Sequence, residues 1–303
     1  MKNLAAHIYR VSGCRHVLRT VLFLIALFIV SSPACAAKVL IVGTMQYPFV
    51  AEVANDIRSS LKTQSSEYGV AEVKGKLGSV VEREGAQVVV ALGNDAVAEA
   101  MRLPPDIAVV YGLVVTPPKS SRQNMTGVYL SPPASEYVAI VKRYLPAIGR
   151  VSVVGSPAMI RALAAGDQAQ ISTHQVASSV ELLTTLNRLA DSHALLLLPD
   201  VNLLTASVME NVLAYSFRRN VPLLGISESN VKQGSLLALV FDAKSVSWQI
   251  GERVQSILNG DDAGDMAPSP PRKFNLFVNA NTARKMGISI PAELLKRAKK
   301  IYP

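Results

Sequence analysis

Continuous apolar runs, each closed by a turn and followed by a segment of helical period, recur along this chain from Lys38 onward. KVLIVGT (38–44) leads through the loop MQYPF into the amphipathic stretch VAEVANDIRSSLKTQ. AQVVVALG (86–93) precedes NDAVAEAMR, and IAVVYGLVV (107–115) ends at TPPKSSRQ. Runs of β-branched residues without alternation predict strands buried on both faces, as in a parallel sheet covered by helices.

A second series follows. NMTGVYL (124–130) runs extended into SPPASEYVAIVKRYLP, whose prolines suit the first turn of a helix. RVSVVGS (150–156), ALLLLPD (194–200) and VPLLGIS (221–227) are again buried-type strands, each with a helical segment behind it. SLLALVFD (235–242) feeds the helix SVSWQIGERVQSILNG, which Gly260 stops. Two successive sets of parallel βα units imply two α/β lobes, each with its own sheet. No repeat at a short solenoid period is visible. After the break NGDDAGDMAPSPPRK (259–273), structure resumes in FNLFVNANTARKMGISIP (274–291). That stretch reads as a strand, a turn at Asn279 and Asn281, a short helix, and a strand-like ISI closed by Pro291. RRN (218–220) and KRAKK (296–300) read as solvated helix ends.

The first twenty residues carry Lys2, Arg10, Arg15 and Arg19 with no acidic residue, and lead into VLFLIALFIV (21–30). This run is about half the roughly 20 residues a spanning helix needs, and Ala34-Cys35-Ala36 supplies the small residues of a cleavage site. The reading is a signal peptide over 1–36. A retained signal anchor and a lipoprotein attached through Cys35 are the alternatives, the latter on a poor lipobox. Removing the leader leaves 27 basic and 22 acidic residues, a formal charge of +5 in place of +9, which suits solubility and gives no ground for nucleic acid. Both cysteines, Cys14 and Cys35, lie in the leader, so neither disulfides nor thiol chemistry enter. Roughly 265 residues remain, room for two domains.

An ordered series of segments then resembles a known family: ALGNDAVAEAM (91–101), NMTGVYLSPPASEYV (124–138), LLLLPDVNLLTAS (195–207), VPLLGISESNVKQGSLLALVFD (221–242), IGERVQSILNGD (250–261) and FNLFVNANTARKMGISIPAELLKRA (274–298). The family is that of the periplasmic substrate-binding proteins of ABC transporters, tryptophan/tyrosine type. The family's usual DP after the third strand is TPP here (116–118). The resemblance implies two doubly wound α/β lobes of the periplasmic binding protein type I-like kind, joined by three hinge crossings at NMTGVYL, ALVFD and FNLFVNAN. Lobe 1 is expected over 37–125 plus 242–273, and lobe 2 over 126–241 plus 274–303. It further implies a periplasmic monomer that takes no cofactor. Its partners would be a small-molecule ligand such as an amino acid, and an inner-membrane ABC permease with its ATPase.

In open α/β sheets ligands bind beyond the carboxyl ends of the strands, so the residues just after each strand are the candidates. In the first lobe these are Tyr47 (with Met45, Gln46 and Phe49), Asn94 (with Asp95) and Thr116. In the second they are Ser156, Asp200 (with Asn202), Glu228 (with Ser227) and, at the second crossing, Asp242. Asn94, Ser156 and Ser227 at helix starts could offer an anion free backbone N–H groups, and Asp200 or Glu228 could receive an ammonium. Tyr47, Phe49 and Tyr111 could cover an apolar group. Against each stands a structural reading. Ser, Asn and Asp after a strand also serve as N-caps; Glu228 fits a solvated loop; Tyr111 and Trp248 fit packing.

Capture of a solute by closure about the hinge is therefore the leading reading. A sensory or accessory binding module of the same fold, not coupled to transport, is the second. An exported enzyme fares worse. After the leader only His174 and His193 remain, and the chain has no P-loop, nucleophile elbow or metal-ligand spacing.

Overall fold

The long apolar runs read from Lys38 onward hold strands in the computed structural model, which describes residues 38–303 apart from 121, 165–168 and 190. The segment read as a signal peptide lies outside the described residues, and with it the expected cleavage position and both cysteines.

The first sheet contains β1 (Lys38–Gly43), β2 (Ser65–Gly69), β3 (Ala86–Leu92), β4 (Ala108–Val114) and β5 (Met125–Tyr129), in the order β2-β1-β3-β4-β5, all parallel. Alternate residues of its central strands feed two cores. Val39, Ile41, Val88 and Val90 pack with Val53, Ala54 and Ile57 of α1 (Pro48–Ser60). Leu40, Val42, Val89 and Ala91 face the opposite way, onto α3 (Leu77–Glu84) and α4 (Asn94–Ala100); α2 (Val70–Val73) adds a single turn on that side. Burial on both faces explains the unbroken apolar runs.

The chain leaves β5 through α5 (Ala134–Tyr144) and builds a second sheet in the order β12-β11-β10-β9-β8-β6-β7. Its strands are β6 (Val151–Gly155), β7 (Ile171–Gln175), β8 (Ala194–Leu197), β9 (Leu223–Gly225), β10 (Leu237–Phe241), β11 (Phe274–Asn279) and β12 (Ala298–Tyr302). Between them run α6 (Pro157–Leu163), α7 (Ser179–Arg188), α8 (Ala206–Arg219), α9 (Glu228–Gln233), α10 (Ala243–Leu258), α11 (Ala280–Lys285) and α12 (Ala292–Arg297). All neighbours are parallel except β10 and β11. That antiparallel pair is where the chain goes out and comes back. β10 delivers α10 to the first sheet, where Val246, Ile250 and Val254 join the core of β3 and β4, and β11 returns to the second sheet.

The proline-rich break between them also has a structural task. Thr126 Oγ1 donates to Met266 O at 2.7 Å, Ser269 N–H to Gly127 O at 3.2 Å and Tyr129 N–H to Ser269 O at 3.2 Å. The segment thus covers the open edge of β5, where an unpaired strand would invite association.

Three strands differ from the sequence reading. SSEYG (β2) and ISTHQ (β7) were not read as strands, and AKKIY (β12) replaces the helix end read at KRAKK, while Ile288–Ile290 is not a strand. All three are sheet edges, with one face wet and polar, so they lack the apolar run that marks a central strand.

Candidate ligand-binding cleft

Both sheets share one plan. In each, the first strand added lies between the second and the third (β2-β1-β3 and β7-β6-β8), so the winding direction reverses between β1 and β3 and again between β6 and β8. At such reversals neighbouring connections diverge and leave a crevice beyond the carboxyl ends of the strands. A cavity of about 840 Å³, within the size range of ligand pockets, lies beyond the carboxyl ends of β3 and β4 in the first sheet and of β6, β7 and β8 in the second. Asn94 after β3 and Val115–Lys119 after β4 form one wall; Ser156, Met159 and Arg161 after β6, Ala177 after β7 and Pro199–Leu203 after β8 form the other.

Local geometry aims these groups. Leu113 has φ 56°, a left-handed conformation uncommon for a branched residue, and the register of β4 against β5 shifts between Tyr111 and Val114. This irregularity at the strand end turns Val115 and Thr116 into the cleft, a use to which bulges beside binding sites are commonly put. Asn94 opens α4, with Gly93 at φ 91° making the bend out of β3. Asp200 organises its own loop: Oδ1 accepts Asn202 N–H at 3.0 Å, and its carbonyl accepts Leu203 N–H and Leu204 N–H. No cation among the described residues pairs with the Asp200 carboxylate.

Four of the residues expected from the sequence, Asn94, Thr116, Ser156 and Asp200, therefore line one cavity. Ser156 sits at the start of α6 without using its hydroxyl as a cap. The other three stand elsewhere. Tyr47 is 64% exposed at the start of α1, next to Phe49, whose ring meets Phe241 at 5.8 Å. Asp242 caps α10, accepting Ser245 N–H at 2.9 Å. Glu228 accepts the Tyr302 hydroxyl and lies 3.6 Å from both Lys232 and Lys300. The Tyr302 hydrogen bond, with help from the two ammonium groups, holds its carboxyl below the usual carboxylate range. Ser227 caps α9, and Tyr111 is buried within β4.

Sequence reasoning passed over Lys119 and Arg161, which bring positive charge to opposite walls of the cavity. Lys119 was legible as the first charged residue after β4, but nothing in the sequence turns Arg161 toward the cleft. Also missed was a second cavity of about 260 Å³ that shares Val115, Pro199, Asp200 and Val201 with the first. It runs under the loop after β8 toward β9, between Leu197, Leu204, Met209, Leu223 and Leu224. No group of metal-ligating side chains occurs among the described residues.

Two open sheets begun on the same winding plan, beside a ligand-sized cavity and joined by three passages of chain, define a two-lobed α/β protein of the periplasmic binding protein type I-like fold. More particularly, the chain belongs to the ABC transporter substrate binding protein family, whose model matches residues 106–302. This is a family of substrate-binding proteins and not of enzymes.

Solved structures share the fold. A ligand-free, open substrate-binding protein with adhesive properties from Clostridium difficile is 16% identical, with TM-score 0.62. A conserved domain protein from Vibrio cholerae is 21% identical, with TM-score 0.54. An ABC domain in complex with L-Trp from Streptococcus pneumoniae is 19% identical, with TM-score 0.52. Each match covers 88% of this chain and 99% of the other. No curated protein matches the sequence.

Proposed function

We propose that this chain is the extracytoplasmic solute-binding component of an ABC transporter, which captures a small molecule between its lobes and hands it to an inner-membrane permease driven by an ATPase. The observation that carries the reading is the 840 Å³ cavity walled by residues that follow strands of both sheets. A ligand touching both walls binds the closed arrangement better than the open one, and so shifts the protein toward closure. No bond is made or broken in this mechanism.

The charges favour a zwitterion such as an amino acid. Asp200 is the acidic side chain of the cavity and receives an ammonium; Arg161 and Lys119 attract a carboxylate, which the Ser156 hydroxyl can bond. The signal-like leader supports export to the periplasm, and among the described residues no helix is long and apolar enough to cross a membrane.

Thermal unfolding of the chain without its leader, against amino acids, peptides, nucleosides, sugars and anions, tests the reading. A ligand at about 100 times its dissociation constant adds roughly 2.7 kcal/mol and raises the midpoint visibly. Absence of a shift with every compound overturns capture of a small solute.

A further inference from the structure

The smaller cavity differs in chemistry from the cleft it opens into. Its wall is aliphatic: Leu197, Leu204, Met209, Leu223, Leu224 and Ile226. Its polar groups are largely engaged, since Ser227 Oγ accepts Asn230 N–H at 3.1 Å and Asn230 Oδ1 accepts Ile226 N–H at 3.1 Å. No cation and no aromatic ring lines it, and no aromatic ring lines the larger cavity among the described residues. Tyr47, Phe49 and Tyr111, which could have stacked on a planar ligand, belong to neither wall. At the junction stands Asp200, shared by both cavities and without a cationic partner.

We infer that the annex is a subsite for the aliphatic chain of a ligand whose cationic head is held at Asp200, so that the solute is an aliphatic amino acid or a close relative and not an aromatic one. The inference rests on the reading of the cleft as a solute-capturing site and names its substrate class. An apolar chain gains by leaving water for such a wall in proportion to the area it buries, whereas a second charge there would lose its hydration without a partner. An aromatic ring would forgo the offset or edge contacts with other rings that reward it in ring-lined sites.

The test is calorimetric titration of the chain without its leader with glycine, alanine, 2-aminobutyrate, norvaline and norleucine, together with leucine, tyrosine, tryptophan and hexanoate. Affinity is expected to rise about fourfold with each methylene from alanine to norleucine. Tyrosine and tryptophan should bind on the order of tenfold more weakly than leucine. Hexanoate, lacking the ammonium, should bind far more weakly than norleucine, and Asp200→Asn should narrow that difference. Met209→Trp, which fills the annex from a half-buried position on α8, should flatten the series.

A flat series in the unsubstituted protein, or tryptophan binding as tightly as norleucine, overturns the inference and leaves solute capture standing. No heat with any compound, glycine included, overturns both. Should Met209→Trp fail to fold, the series on the unsubstituted chain still decides.

Discussion

Asp242 and Asn275 tie the outgoing strand β10 to the returning strand β11: the Asn275 side-chain amide donates to Asp242 Oδ2 at 3.3 Å while Oδ1 caps α10. Asp242 also donates its backbone N–H to Lys273 O at 3.2 Å. The outgoing and returning strands are thus joined where they leave the second sheet, and α10 starts in register with that joint. Removing the carboxylate with Asp242→Ala should cost about 1–2 kcal/mol, the worth of an N-cap and a weak side-chain bond. Urea denaturation reads this loss. Ligand affinity should stay unchanged, because the side chain lies outside the cleft; a large loss of affinity without loss of stability would return Asp242 to the binding site.

The contact of Glu228 with Tyr302 makes the C-terminal strand acid-sensitive. The folded protein holds this carboxyl below its ordinary value of 4.5, so its stabilising contribution is present above that value and is lost as pH falls through the lower folded one. Amide exchange of β12 should therefore quicken selectively in acid. Tyr302→Phe removes the leading cause of the shift, and should make exchange at the edge faster at neutral pH and less dependent on pH.

Gly127 in β5 lies against the ring of Tyr111, and a Cβ at this position would collide with it. Gly127→Ala should cost about 1–3 kcal/mol by overpacking. The Tyr111 hydroxyl finds no partner among the described residues and burial pushes its pKa up, so Tyr111→Phe should leave stability equal or raise it by about 1 kcal/mol. Thermal melts of the two variants should move in different ways: clearly down for the first, level or up for the second.

Arg122 closes the loop between α4 and β4, donating to Leu103 O and Pro104 O at 2.7 Å each and to Ile107 O. A planar guanidinium fits several converging carbonyls where an ammonium cannot. Arg122→Ala should lose about 3 kcal/mol and Arg122→Lys should recover only a minor part, both read by denaturation midpoints. Full recovery by lysine would mean that charge alone matters here.

The continuous apolar runs were enough to determine two α/β lobes and the central strands of both sheets, because burial on both faces leaves no room for polar alternation. The same logic placed candidates after the strands, and Asn94, Thr116, Ser156 and Asp200 do meet in one cavity. What tertiary structure alone decided concerns position across the sheets. Edge strands such as ISTHQ and AKKIY carry no apolar signature, and their pairing depends on a neighbour far away in sequence. Ser227 and Asp242 follow strands as Ser156 does, yet they spend their oxygens on helix caps, a choice set by local backbone angles. Arg161 and the aliphatic annex became visible only once β6, β8 and β9 lay side by side, since a cavity is a property of what neighbouring strands leave unfilled.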